Sequence, residues 1–238
     1  MPSSRSRKSY RTGSPVPPGP FRTLTPEHPD AFPLLVAFDL DYTLWDLWID
    51  THVSPPLRRK GDEINQLHDR RGQPLSFYPE VPSILSELKQ RRIHIAAASR
   101  TSAPELAREA LGMLLLSGEG DRIVQAVRYF NTMEIYPGSK LRHFKEIHRK
   151  TGIPYDQMLF FDDEHRNFEV ESLGVTMQLV PSSGTDRALW AEGLGTWRKR
   201  RGIRIGEGDG GQGEGEGGRP GVAGEVQGEG EGWMGEDD

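Results

Sequence analysis

The order of apolar runs along this chain predicts an α/β fold, Rossmann-like and three-layered, with a central, mainly parallel sheet. Two observations carry that prediction. Short continuous apolar runs alternate with segments that show a helical apolar stripe, which is the spacing of right-handed strand–helix–strand crossovers. Three of the runs also stop at a polar residue: Asp39, Ser99 or Asp162.

The first run, Leu34–Phe38, has no polar residue, as a strand buried on both faces requires. Arg58–Tyr78 is polar, carries Arg70-Arg71-Gly72-Gln73, and reads as a small hairpin or excursion. Glu80–Arg92 places Val81, Ile84, Leu85 and Leu88 on one helical face, and Ile93–Ala98 is a second strand. Ser102-Ala103-Pro104-Glu105 supplies a helix start with a first-turn proline, so Ala103–Leu115 is predicted as a helix. Val124–Phe130 is expected to be the third strand. Ser139–Lys150 is helical, with Leu141, Phe144, Ile147 and His148 on one side and Gly152 as its stop. Met158–Phe161, a short helix over Glu164–Leu173 closed by Gly174, Val175–Val180 and a closing helix over Thr185–Leu194 complete the pattern.

Composition sets the outer limits. Residues 32–180 hold 18 bases and 21 acids, whereas residues 206–238 hold 14 of the 28 glycines and ten acids against one base. The expected organisation is a basic, Pro/Ser-rich disordered segment (1–31), one catalytic domain (32–200) and a disordered acidic Gly/Glu tail (201–238). The near-neutral middle argues against nucleic acid as partner, because phosphate neutralisation needs a basic surface. Zero cysteines exclude a disulfide framework, a thiolate metal site and a cysteine nucleophile. No run of apolar residues is long enough to span a bilayer, and the start lacks the apolar stretch of a secretory signal. A monomeric cytoplasmic protein is expected, with the nucleus as an alternative.

In an open parallel sheet, ligands bind beyond the carboxyl ends of the strands. Asp39, Asp41, Ser99 and the Asp162–Asp163 pair should therefore meet in one cleft, with Lys140 reaching it from the start of its helix. Converging carboxylates repel one another and call for a cation, and hard oxygen donors suit Mg²⁺. With the cation and Lys140 offsetting charge repulsion, Asp39 can attack a phosphate, and Ser99 can hold a phosphoryl oxygen. Asp41 can protonate the leaving oxygen and then take a proton from the water that cleaves the aspartyl-phosphate.

Phe38-Asp39-Leu40-Asp41-Tyr42-Thr43-Leu44 resembles the DxDxT signature of haloacid dehalogenase-type phosphatases, with Ser99, Lys140 and Asp162–Asp163 in the order of the later motifs. The stretches DLDYTLW, Trp48–Val53, Tyr78–Pro82, Ala96–Ser102, Glu134–Lys140 and Phe160–Glu164 are similar to the eukaryotic magnesium-dependent phosphatase family, over about residues 34–180. The resemblance implies a haloacid dehalogenase fold with little or no cap domain. It also implies Asp39 as nucleophile and Mg²⁺ ligand, and Asp41 as general acid/base that binds Mg²⁺ through its carbonyl. The Leu40 backbone, Ser99, Arg100 and Lys140 would hold phosphate, Asp162 would complete the metal site with Asp163 nearby, and Trp48 would line the entrance. Implied substrates are phosphotyrosine and phosphorylated sugars, including glycated ones, whether small molecules or a phosphoprotein. The Arg59–Leu67 segment departs from the family by being longer. Trp45 is expected to pack, and His52 and His165 to be hydrogen-bonding loop residues. Two other classes are weighed: a receiver-like phospho-aspartate signalling domain, disfavoured by the order of acids and lysine, and a catalytically idle binding module, which no missing motif residue favours.

Overall fold

A computed structural model describes residues 21–206, apart from 119 and 121. The disorder expected of 1–20 and 207–238 concerns residues outside that range.

The strands are β1 (Arg22–Leu24), β2 (Leu35–Phe38), β3 (Leu67–His68), β4 (Pro74–Leu75), β5 (His94–Ser99), β6 (Leu115–Ser117), β7 (Ile123–Gln125), β8 (Thr132–Ile135), β9 (Met158–Asp162), β10 (Thr176–Leu179) and β11 (Ile203–Ile205). The helices are α1 (Ile49–His52), α2 (Val81–Gln90), α3 (Pro104–Met113), α4 (Lys140–Thr151) and α5 (Arg187–Arg200). Five strands make the central sheet in the order β10-β9-β2-β5-β8, all parallel. The chain runs outward from β2 through β5 to β8, then returns to the other side of β2 for β9 and β10. That reversal creates the crevice of a doubly wound sheet at the carboxyl end of β2.

The strands read as continuous apolar runs because each face meets a helical layer. Val36, Phe38, Ile95, Ala97, Leu159 and Phe161 belong to one core with the buried stripe of α2 and the Trp190, Leu194 and Trp197 side of α5. Leu35, Ala37, Ala96, Ala98, Met158 and Phe160 face the opposite way, onto Phe144 and Ile147 of α4. Gly193 allows α5 to approach β9, since a Cβ there would lie 2.7 Å from Phe161 Cζ. The α/β, three-layer prediction is thus what the chain builds, and among the described residues no cap domain interrupts it. The excursion after α1 is a two-stranded ribbon, β3–β4. No described helix is long and apolar enough to cross a membrane.

Four expectations need correcting. The third sheet strand is β8, not Val124–Phe130; that run splits between β7, paired antiparallel with β6, and a 3₁₀ turn over Ala126–Tyr129. Its apolar side chains pack on α2 and α3, and a short apolar run cannot by itself distinguish such a turn from a strand. The edge strand β8 instead carries Thr132 and Glu134, polar residues that an edge tolerates. Glu164–Leu173 forms 3₁₀ turns over His165–Leu173, and the closing helix is Arg187–Arg200, longer than expected. The folded unit also extends past 32–200: β1 and β11 pair in parallel, and Ile203 is buried. A three-residue strand inside basic, Pro-rich sequence offers too little pattern to be seen.

Candidate active site

All the strand-end residues arrive at one edge because the register aligns their strands. Phe38 pairs with Phe161 and with Ala97, so Asp39 follows β2 beside Asp162 at the end of β9 and close to Ser99 at the end of β5. The Asp39 N–H donates to the Phe161 carbonyl at 2.9 Å, which ties the first loop to β9. Leu40 is buried, and its carbonyl accepts from the Thr43, Leu44 and Trp45 N–H groups. This tight turn leaves Tyr42 at φ +51°, a conformation a bulky residue adopts only where its surroundings impose it.

Lys140 is 1% exposed, far outside the habit of lysines, and its charge is met on two sides. Its Nζ donates to Asp39 Oδ1 at 2.7 Å, lies 2.9 Å from Asp162 Oδ2 and also donates to the Ala98 carbonyl. Burial works against the ammonium, but the Asp39 and Asp162 carboxylates outweigh it and hold its pKa above the ordinary value. Asp162 is wholly buried. Its Oδ1 accepts from the Glu164 N–H and Asn167 Nδ2, both at 2.8 Å, and its Oδ2 accepts again from Asn167 at 2.9 Å.

A cleft of about 280 Å³ opens above this base, lined by Asp39, Asp41, Trp48, Ser99, Arg100 and Asp163, with Asp50, Thr101, Glu164 and Arg166 around them. Ser99 is 1% exposed and its Oγ accepts from the Thr101 N–H at 3.3 Å. Arg100 donates to Asn167 Oδ1 at 3.1 Å. Trp48, half exposed, stands at the mouth, stacked on His52 at 5.7 Å and edge-on to Tyr42 at 5.3 Å. His52 accepts from the Trp48 N–H, the hydrogen bond expected of it, but it is the last residue of α1 and not a loop residue. The cleft thus gathers Asp39, Asp41, Trp48, Ser99 and Arg100, with Lys140 and Asp162 beneath its floor.

Even with Lys140 in place, this edge is short of positive charge. Burial raises Asp39 to about 6, with Asp162 adding to the rise and Lys140 only partly offsetting it. Burial likewise raises Asp41 to about 7 and Asp163 to about 7, with Asp39 adding to both. Carboxylate oxygens of Asp39, Asp162 and Asp163 lie within 4.8 Å of one another. Three hard anionic donors converging where ionisation is suppressed fit a small divalent cation. A carboxyl poised near neutrality, as Asp41 is, suits a group that must both give and take a proton.

Two residues of the site are not legible from motif spacing. Trp45, expected to pack, does so at 0% exposure, stacked on Phe77 at 5.8 Å, but its Nε1 also donates to Asp41 Oδ1 at 2.7 Å. Asn167 bridges Asp162 and Arg100, joining the carboxylate side of the cleft to its cationic side. Only its place five residues after Asp162, on the turn leaving β9, hints at this.

A doubly wound sheet with an Asp-x-Asp pair after its first central strand, a buried lysine and an acidic pair at the end of β9 defines the haloacid dehalogenase class of hydrolases. Comparison with known proteins narrows this. A family model described as Acid Phosphatase matches residues 31–200. A HAD-like hydrolase superfamily protein of Schizosaccharomyces pombe is 47% identical over 145 residues, covering 61% of this chain and 84% of that protein. Human Magnesium-dependent phosphatase 1 is 46% identical over 168 residues, covering 70% of this chain and 88% of its own length. The chain belongs to this acid phosphatase family, and it is a phosphatase.

Proposed function

We propose that the protein is a Mg²⁺-dependent phosphomonoesterase acting through an aspartyl-phosphate on Asp39. The observation that supports this most directly is the Asp39 carboxylate, fixed at the cleft floor by Lys140 while Asp41 opens on the same cleft. In this reading Asp39 attacks phosphorus as the ester bond breaks, and Asp41 delivers its proton to the leaving oxygen. Asp41 then takes a proton from water as water attacks phosphorus and frees Asp39. Ser99, Arg100 and the Leu40 N–H bind the phosphoryl oxygens, and Lys140 contributes its positive charge to the phosphate site from beneath the floor. Asp39, the Asp41 carbonyl and the Asp162–Asp163 pair would hold Mg²⁺. Within that pair Asp163 opens on the cleft, while Asp162 also anchors Lys140 and Asn167. The bound cation supplies positive charge that lets an anionic nucleophile approach an anionic ester.

The substrate class is phosphotyrosine or a small phosphorylated sugar, glycated ones included, with an open, capless mouth walled by Trp48. The test is phosphate release from phosphotyrosine, phosphoserine, sugar phosphates and p-nitrophenyl phosphate, each with Mg²⁺ and with chelator. Chelator-sensitive turnover with a preference names the class. Turnover that survives chelation, or that persists in Asp39→Asn, sinks the reading.

A further inference from the structure

The geometry points to Trp45 as a positioning residue for proton transfer: its indole N–H, with the Ile49 N–H, commits Asp41 Oδ2 to the leaving group. The inference rests on the general acid/base role proposed for Asp41.

Asp41 Oδ1 accepts two hydrogen bonds, from Trp45 Nε1 at 2.7 Å and from the Ile49 N–H at 3.2 Å. Two donors facing one carboxylate oxygen hold it as an acceptor, because a proton placed there would meet two N–H groups. The proton of the acid form therefore resides on Oδ2, for which the described residues offer no donor. The carboxyl is thus divided into an anchored oxygen and a working one.

The donor itself cannot drift. Trp45 is fully buried, lies nearly parallel to the Phe77 ring, and its backbone N–H donates to the Leu40 carbonyl inside the same turn. An indole N–H buried without a partner is unfavourable, and the acceptor this one has is Asp41 Oδ1, at 2.7 Å. The requirement is mutual: the indole needs an acceptor, and the carboxyl needs one oxygen immobilised. Phe77 belongs to the strand of chain leaving the β3–β4 ribbon, so the excursion after α1 buttresses the acid from behind.

The consequence differs between substrates. When the ester bond breaks, an aryl oxide such as p-nitrophenolate departs without a proton, whereas an alkoxide of serine or a sugar needs the proton of Asp41 Oδ2. A misdirected acid should thus penalise alkyl esters selectively. A merely structural tryptophan would penalise both alike.

The experiment measures kcat and KM for p-nitrophenyl phosphate and for an alkyl phosphate, with Mg²⁺, on the full chain and on Trp45→Phe, which keeps a ring against Phe77 and removes the donor. The alkyl-to-aryl ratio of kcat/KM should fall by roughly tenfold, because kcat/KM reports ester cleavage and not the later hydrolysis of the aspartyl-phosphate that both substrates share. An unchanged ratio overturns the inference, whether activity falls on both substrates or on neither. If Trp45→Phe does not fold, replacing Trp45 with its sulfur isostere, benzothienylalanine, removes only the N–H, and the same ratio is read. Asp41→Asn measured in parallel separates the two claims. Selective loss there with none in the Trp45 variants overturns the positioning role alone, and no selectivity in Asp41→Asn overturns the acid assignment on which it rests.

Discussion

The two edges of the central sheet carry charge in opposite ways. At the carboxyl edge, Asp39, Asp162 and Lys140 are buried, and neighbouring carboxyls are pushed up to about 7. At the amino edge, the helix ends set down Arg91, Arg149, Arg200 and Arg201, paired with Glu87, Glu146, Glu171 and Asp156. Those cations sit in the last turns of α2, α4 and α5 or just beyond them, where they complement the helix dipoles and remain partly in water. The same residue types are present at both ends. Burial separates the carboxyls pushed up at one edge from the ion pairs left to water at the other, and chemistry gathers where water is excluded.

If that contrast is right, substitutions at the carboxyl edge should have the largest effects. Asp39→Asn removes the nucleophile while keeping the shape of the side chain, and turnover should fall by at least about 1,000-fold with the melting temperature near native. Phosphate release near the wild-type rate would break the assignment. Lys140→Met should follow in size, this time in stability. It leaves Asp39 and Asp162 buried without their common counter-ion, for a loss of about 3–5 kcal/mol in chelator by denaturant titration. Added Mg²⁺ should recover part of that loss, and equal stability to the native protein would mean the lysine does not neutralise the pair.

Most of this edge is legible in the sequence, because a strand-end polar residue after an apolar run signals both a boundary and a position. Asp39, Ser99 and Asp162 could be placed together before any coordinates, and the α2 stripe of Val81, Ile84, Leu85 and Leu88 is buried as its periodicity requires. What escaped was non-local. The role of Trp45 depends on a contact only 2.7 Å long that looks, in sequence, like any aromatic core residue. Lys140 lies on the buried face of α4 where Leu141 was expected, because two carboxylates from other strands make a buried ammonium tolerable. The β8 misplacement has the same origin: the apolar run before it packs on helices, and the polar Thr132 and Glu134 gain their place from neighbouring strand β5 and from Lys150.

The contrast also predicts a pH dependence of unusual sign. Asp39, Asp41 and Asp163 have folded pKa values of about 6, about 7 and about 7 against an ordinary 3.8, so the folded state favours their protonated forms. The stability they contribute is fully present below the ordinary value and is lost as pH rises through the folded values. Carboxylates held low, such as Asp50 through its hydrogen bond from Ser102 and Glu87 through Arg91 and Arg187, act the other way, but only below their ordinary range. In chelator, the melting temperature should therefore fall by several degrees between pH 5 and pH 8, and Mg²⁺ should flatten the curve by neutralising the ionised cluster. A chelated protein more stable at pH 8 than at pH 5 would contradict the charge deficit at the carboxyl edge.

The smallest effect belongs to the amino edge. Arg149 reaches Glu146 at 2.9 Å, but its side chain is 67% exposed, so water screens the pair and the ordering of two long side chains offsets most of what attraction remains. Arg149→Ala should cost less than about 1 kcal/mol, fading further in salt, and should leave kcat and KM as they are. A larger loss, or any change in turnover, would mean that the two edges communicate through α4, whose first residue is Lys140 and whose last turn carries Arg149. The helix would then act as a rigid lever between them, and the separation of a chemical edge from a solvated one would no longer hold.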